Sequence, residues 1–247
     1  MPSQRGADAV SVPAATSAVP TATAIPTATF TPTATPAPTS APRPIFLPVV
    51  RRDPRPMLQA DVVLLVDTSS SMSPARLAAT RVAVAGFFDQ MNYERDQAAI
   101  IAFNRSTSVA LRMTRDRAAL ERALAGLAAS QGTRLDLAIR AARDELLDID
   151  HPGGQRRNWE SAGVVILLTD GAHEGPATDV ISEAFFTGNS GFRIYTIGLG
   201  PDADLGLLER IADTGGSLAA ASEGDLAAAY RAIGARLMQA FRAPEGR

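Results

Sequence analysis

The sequence predicts an α/β fold: a doubly wound, mostly parallel six-stranded sheet with one antiparallel edge strand and helices on both faces. Three observations carry this. Two short runs are apolar without alternation, Val62-Val63-Leu64-Leu65-Val66 and Val164-Val165-Ile166-Leu167-Leu168, as expected of strands buried on both faces. Strand-like and amphipathic helical segments then alternate over roughly 190 residues, an ordinary size for one such domain. Ahead of them lies a stretch with too little apolar content to fold.

That stretch is read as residues 1–58, a disordered Pro/Thr/Ala-rich stalk or linker, with the domain over 59–243. Residues 11–43 are almost entirely Thr, Ala, Pro and Ser, and 12 of the chain's 17 prolines precede residue 57. Closely spaced prolines block helix and sheet ladders and favour extended polyproline II. Ile45 to Val50 is apolar but broken by Pro48, and is expected either to pack on the domain or to form an edge strand.

Within the domain, Asp61 to Val66 is the first buried strand. Pro74 to Met91 reads as a helix with Ser73 as N-cap and Leu77, Val84, Phe88 and Met91 on one stripe. Gln97 to Phe103 and Ser108 to Met113 are strand-like and joined by the short Asn104-Arg105-Ser106-Thr107 turn, hence a hairpin. Arg115 to Leu127 and Leu135 to Ile149 read as helices. Gly163 to Leu168 is the second buried strand. Phe192 to Leu199 is a further strand, Asp204 to Thr214 a helix, Leu218 the centre of a short strand, and Asp225 to Phe241 the last helix. Phe185 and Phe186, on a short helix, are expected in the core.

Composition narrows the function. There is no cysteine, hence no disulfide, thiolate metal site or cysteine nucleophile. Every basic residue is Arg, which removes Schiff-base and phosphate-loop lysines. A net charge of −2 excludes a general nucleic-acid binder, which needs excess positive charge. No apolar run is long enough to span a bilayer. Met1 to Val10 has one Arg and no apolar core after it, so it does not read as a secretory signal. The stalk is nevertheless of the kind carried by exported proteins. The expected location is therefore outside or on the surface of a bacterial cell, with a signal or anchor upstream of Met1.

In a doubly wound sheet, ligands bind beyond the carboxyl ends of the strands. The first buried strand is followed by Asp67-Thr68-Ser69-Ser70-Ser71-Met72 and the second by Thr169-Asp170-Gly171. Between them, at a helix start, stands Gln131-Gly132-Thr133. If the two strands are neighbours, two carboxylates and three hydroxyls share one edge. Hard oxygen donors suit Mg²⁺, Mn²⁺ or Ca²⁺. Each piece has an ordinary structural reading, since Ser, Thr and Asp cap helices and Asp-Gly makes turns. The joint occurrence carries the inference.

These residues resemble the signature of the von Willebrand factor A domain family, a Rossmann-like fold shared with integrin inserted domains. The resemblance covers about residues 59–241. The signature is an Asp-x-Ser-x-Ser loop, a distant Thr and a distant Asp-Gly, here Asp67, Ser69, Ser71, Thr133 and Asp170. It implies a metal-ion-dependent adhesion site in which Ser69 and Ser71 bind the cation directly and Thr133 binds it directly or through water. Asp67 and Asp170 act largely through water. The implied cofactor is Mg²⁺, with Mn²⁺ or Ca²⁺ as alternatives, and the implied partner is a protein presenting a carboxylate. Three further residues fall near this edge as candidate ligand contacts: Arg134 beside Thr133, and His173 and Glu174 after Asp170. Their ordinary reading is a surface residue and a solvated loop. His151, Arg156, Arg157 and Trp159 lie in the loop entering the second buried strand from its far end.

Other functions are weighed against a non-enzymatic binding module. Some intracellular family members are accessory subunits of metal-inserting or remodelling ATPases, but the stalk argues against that here. A hydrolase would draw on Ser69 or Ser71, His173 and Asp170, yet the G-x-S-x-G elbow is missing. A phosphatase using Asp67 as nucleophile needs a second carboxylate two residues on, where Ser69 stands.

Overall fold

The structure is a computed structural model and describes residues 59–148, 161–213 and 216–241. The stalk segment, Ile45 to Val50 and the His151–Trp159 loop residues lie outside the described residues.

Six strands form one sheet: β1 (Ala60–Asp67), β2 (Gln97–Phe103), β3 (Thr107–Thr114), β4 (Ala162–Thr169), β5 (Arg193–Leu199) and β6 (Ser217–Ala220), in the order β3-β2-β1-β4-β5-β6. Every pairing is parallel except the β2–β3 hairpin, which puts the antiparallel strand at one edge. Six helices connect them: α1 (Pro74–Phe88), α2 (Arg117–Ala125), α3 (Leu135–Leu147), α4 (Ala177–Asn189), α5 (Leu205–Ile211) and α6 (Leu226–Phe241). A 3₁₀ turn, Glu223–Asp225, leads into α6.

The unalternating runs are buried on both sides. Val62, Leu64 and Val66 pack into one core with Leu77, Val84, Phe87 and Phe88 of α1, Leu120 and Leu124 of α2, and Tyr230 and Ile233 of α6. Val63 and Leu65 face the other core, with Leu135, Ile139 and Leu146 of α3, Val180 of α4 and Leu207 and Leu208 of α5. Each strand residue therefore meets a helix whichever way it points, which removes the usual polar alternation.

Helix boundaries follow local chemistry. Ser73 Oγ accepts from the Arg76 N–H at 3.3 Å, with Pro74 as the first helical residue. Asp116 Oδ1 accepts from Ala119 N at 3.0 Å and starts α2. Asp204 Oδ1 accepts from Leu207 N at 3.0 Å and starts α5.

Phe185 and Phe186 depart from expectation. They are 63% and 53% exposed, not core. The reason is helical phase: α4 buries Val180, Glu183, Ala184 and Thr187, a stripe at i, i+3, i+4 and i+7, and positions 185 and 186 lie off it. Glu183 on that stripe is held by Arg140 and Arg143 of α3 at 2.5 and 2.6 Å, and the Arg143 guanidinium lies 5.9 Å from the Phe186 ring centroid.

Gly163 of β4 marks a tight contact, because a Cβ there would overlap the Phe192 ring. Gly163→Ala is expected to destabilise the domain by about 1–3 kcal/mol through overpacking, read as a lower midpoint in urea denaturation.

Candidate metal centre

The order β2-β1-β4-β5 places a topological switch point between β1 and β4. From β1 the chain runs through α1 on one face to β2; it reaches β4 through α3 on the other. The loops leaving β1 and β4 therefore part and leave a crevice at their carboxyl ends. In parallel register Val66 stands beside Leu168, so Asp67 and Thr169-Asp170 emerge side by side.

The β1–α1 loop is pinned at both ends. Met72 is fully buried in the α1-side core, while Thr68 donates to Phe103 O from its N–H at 2.8 Å and from its hydroxyl at 2.9 Å. Ser70 and Ser71 between these anchors are exposed. The Thr133 loop is tied on by backbone bonds: Ser130 N donates to Thr68 O at 2.6 Å, Arg105 N to Gln131 O at 2.9 Å and Arg134 N to Asn104 O at 2.8 Å. Gly132 makes this approach possible. Its φ is +88°, and a Cβ would stand 2.8 Å from Arg105 Cβ and 3.0 Å from Arg105 Cα, so a larger residue fits neither the backbone nor the space.

The side chains converge. Ser69 Oγ and Ser71 Oγ are 2.8 Å apart, and Ser71 Oγ donates to Asp170 Oδ1 at 2.6 Å. Ser69 Oγ lies 3.4 Å from the same oxygen. Ser71 Oγ and Thr133 Oγ1 are each 3.7 Å from the point where a Cβ on Gly171 would stand, so both hydroxyls border one small space. Asp67 sits behind this group. Its Oδ1 accepts from Ser69 N at 2.7 Å and its Oδ2 from Thr169 Oγ1 at 2.5 Å. Both Asp67 oxygens are thus engaged, one of them fastening the serine loop through the Ser69 N–H. Both carboxylates are fully buried. Burial pushes the Asp67 carboxyl up to about 6, against the lowering effect of its hydrogen bonds from Thr169 and Ser69.

Hydroxyls and carboxylates bordering one space suit a hard cation with oxygen ligands. Among the described residues no group of three or more His, Cys, Asp and Glu is arranged for a metal; the donors here are mostly neutral hydroxyls.

The remaining candidates have other commitments. Arg134 is clamped on Asp136, Nε to Oδ1 at 2.8 Å and Nη2 to Oδ2 at 2.6 Å. The His173 side chain is only 3% exposed, which corrects the solvated-loop reading. Its Nδ1 accepts from Leu135 N at 3.3 Å, capping α3, whose start receives no cap bond from the Arg134 side chain. His173 Nε2 lies 3.9 Å from Asp136 Oδ1. The ring is thus turned to α3, while Asp170 is engaged by Ser71 and Arg76, not in a triad order. Glu174 is exposed, and its N–H donates to Thr133 O at 2.8 Å.

One residue escaped sequence reasoning. Arg76 Nη1 donates to Asp170 Oδ2 at 2.6 Å. The available signal was a cation in the first turn of a helix, where the dipole disfavours it.

The Asp67 shift sets a pH dependence. A carboxyl raised from 3.8 to about 6 on folding binds more protons folded than unfolded between those values, so stability falls as pH rises through that window. In EDTA, Asp67→Asn keeps one acceptor for the Ser69 N–H, turns a donor toward the Thr169 hydroxyl, which can accept, and removes the charge. It is expected to be more stable than the parent by about 1–3 kcal/mol at pH 7.5, the gap closing as pH falls through 6 toward 4 in thermal melts.

Comparison with known proteins agrees with this architecture. No curated protein matches the sequence. Among solved structures, the vWF domain of the type V pili tip protein Mfa5 from Porphyromonas gingivalis superposes with a TM-score of 0.66 at 17% identity, covering 77% of this chain and 98% of that one. BatB from Bacteroides thetaiotaomicron gives 0.60 at 19%, covering 73% and 98%. Proximal thread matrix protein 1 from the mussel byssus, in a structure with a zinc-occupied MIDAS motif, gives 0.61 at 21%, covering 71% of this chain and 47% of that one. These likenesses concern the fold. The model of the von Willebrand factor type A domain matches residues 61–230, more than half of the chain, and the protein belongs to that family.

Proposed function

We propose that this chain is a non-enzymatic protein-binding module that grips an acidic residue of its partner through a divalent cation, Mg²⁺ in the first instance. Ser69 and Ser71 would hold the ion directly, Thr133 directly or through water, and Asp67 and Asp170 would act mainly through water. The observation that carries the reading is the meeting of the Ser69 and Ser71 hydroxyls at Asp170, with the Thr133 hydroxyl bordering the space at the neighbouring Gly171. When bound, the cation supplies Lewis acidity toward an outside carboxylate. The chain's own residues orient it: Thr169 and the Ser69 N–H fix Asp67, and the neutral hydroxyls leave the ion's charge largely unquenched. The edge is open where Ser71 and Glu174 are exposed, as docking of a macromolecular ligand needs. The Pro-rich residues 1–58 would serve as a stalk for the domain of residues 59–243, displaying it outside or on the surface of a bacterium. Fold relatives such as the pilus adhesin SpaC from Lactobacillus rhamnosus GG are compatible with that setting.

Calorimetric titration with MgCl₂ tests the reading. The parent chain is expected to bind one ion, and Asp67→Ala to lose about 10- to 100-fold in affinity while keeping its circular dichroism spectrum. Equal affinities, or no binding by the parent, would overturn it. A partner recovered from the organism's surface fraction is expected to elute with EDTA and to be missed by Asp67→Ala.

A further inference from the structure

The five donors leave Arg76 without a role, yet it is held as firmly as any of them. Its Nη1 donates to Asp170 Oδ2 at 2.6 Å and lies 3.4 Å from Ser71 O. Its Nε is 3.5 Å from Glu223 Oε1 in the 3₁₀ turn before α6. A Cβ on Gly200 would stand 3.3 Å from Nη2, so the end of β5 walls the guanidinium on that side. The side chain is 22% exposed and the Asp170 side chain 0%. A guanidinium stays charged at any working pH, so this is a fixed positive charge built against one of the two buried carboxylates.

We propose that Arg76 is an electrostatic positioning residue that weakens the site's hold on a divalent cation and leaves more of the cation's charge for an incoming anion. The inference rests on the metal reading and goes beyond it, because Arg76 lies outside the donor set. Asp67, Asp170 and the Glu223 that touches Arg76 bring three negative charges, Arg76 one positive, and the Ser and Thr hydroxyls none. With a dication bound, the cluster is neutral. Without Arg76 it carries one net negative charge, and the attraction for a partner's carboxylate falls. The ion pair also divides Asp170: Oδ1 faces the serine hydroxyls and Oδ2 faces Arg76. One oxygen therefore remains on the donor side, and its charge is drawn toward the guanidinium. The second contact, to Glu223, keeps the guanidinium from swinging away into solvent.

The test is calorimetry of the full chain with MgCl₂ at low ionic strength, comparing the parent with Arg76→Gln, Arg76→Met and Arg76→Lys. The neutral variants are expected to bind Mg²⁺ about 5- to 10-fold more tightly, and Arg76→Lys, which keeps the charge, within about twofold of the parent. The difference is expected to shrink in 0.5 M KCl. With Mg²⁺ saturating, the neutral variants should be retained less well than the parent on immobilised poly-glutamate. Unchanged or weaker Mg²⁺ binding in folded neutral variants, or equal retention on poly-glutamate, overturns the inference and leaves the metal reading intact. Loss of fold in both neutral variants makes Arg76 a staple of the loops and overturns it as well. No Mg²⁺ binding by the parent overturns the metal reading itself, and this inference with it.

Discussion

Two carboxylates buried side by side at the ends of neighbouring strands set the terms for everything around them. Register between β1 and β4 places Asp67 against Thr169 and Asp170, and neither acid reaches water. A buried charge costs several kcal/mol unless it is paired or hydrogen-bonded. The fold meets this demand in two ways. Asp67 receives a backbone N–H and a hydroxyl, both neutral donors. Asp170 receives a hydroxyl and a guanidinium. Neutral donors only partly offset burial, so the Asp67 carboxyl stands well above an ordinary aspartate, and this corner of the domain concentrates negative charge that the proposed cation would offset.

The switch point explains why these groups meet. Neither apolar run carries information about its neighbour, yet the order β2-β1-β4 follows from helices crossing on opposite faces. Once β1 and β4 are adjacent, residues 67 and 170 are brought together across 103 positions of chain. The Thr133 loop arrives differently. Thr133 reaches the edge because its loop is bonded through the backbone to Thr68, Asn104 and Arg105, with Gly132 allowing the close approach.

Much of this was legible in the sequence, for identifiable reasons. β1 and β4 announce themselves because strands covered on both faces lose polar alternation, and α1 does so through Ser73 and Pro74 at its start. The candidate residues stand out by position: Asp67, Ser69, Ser71 and Asp170 close or follow β1 and β4, and Thr133 stands just before α3. What escaped was set by helical phase or by distance. Phe185 and Phe186 are as apolar as any core residue, but the buried stripe of α4 runs through Val180 and Ala184. His173 lies in a polar loop and is buried because the first N–H of α3 needs an acceptor that the local chain does not supply. Arg76 is one of 24 basic residues, and its partner lies 94 positions away.

A division of labour follows from where the bonds are made. The loops that frame the site are fastened mostly by backbone groups: Thr68 to Phe103, Ser130 to Thr68, Arg134 to Asn104 and Glu174 to Thr133. Backbone bonds are indifferent to the side chains that project from the same residues. Ser70, Gln131 and Glu174 are exposed at this edge while their chain path is fixed from below. The surface around the candidate metal centre can therefore change in shape and charge without moving Ser69, Ser71, Thr133 or Asp170. A fold built this way separates the fixed oxygen positions that the proposed grip would need from exposed side chains the scaffold does not need, which would be free to set the choice of partner.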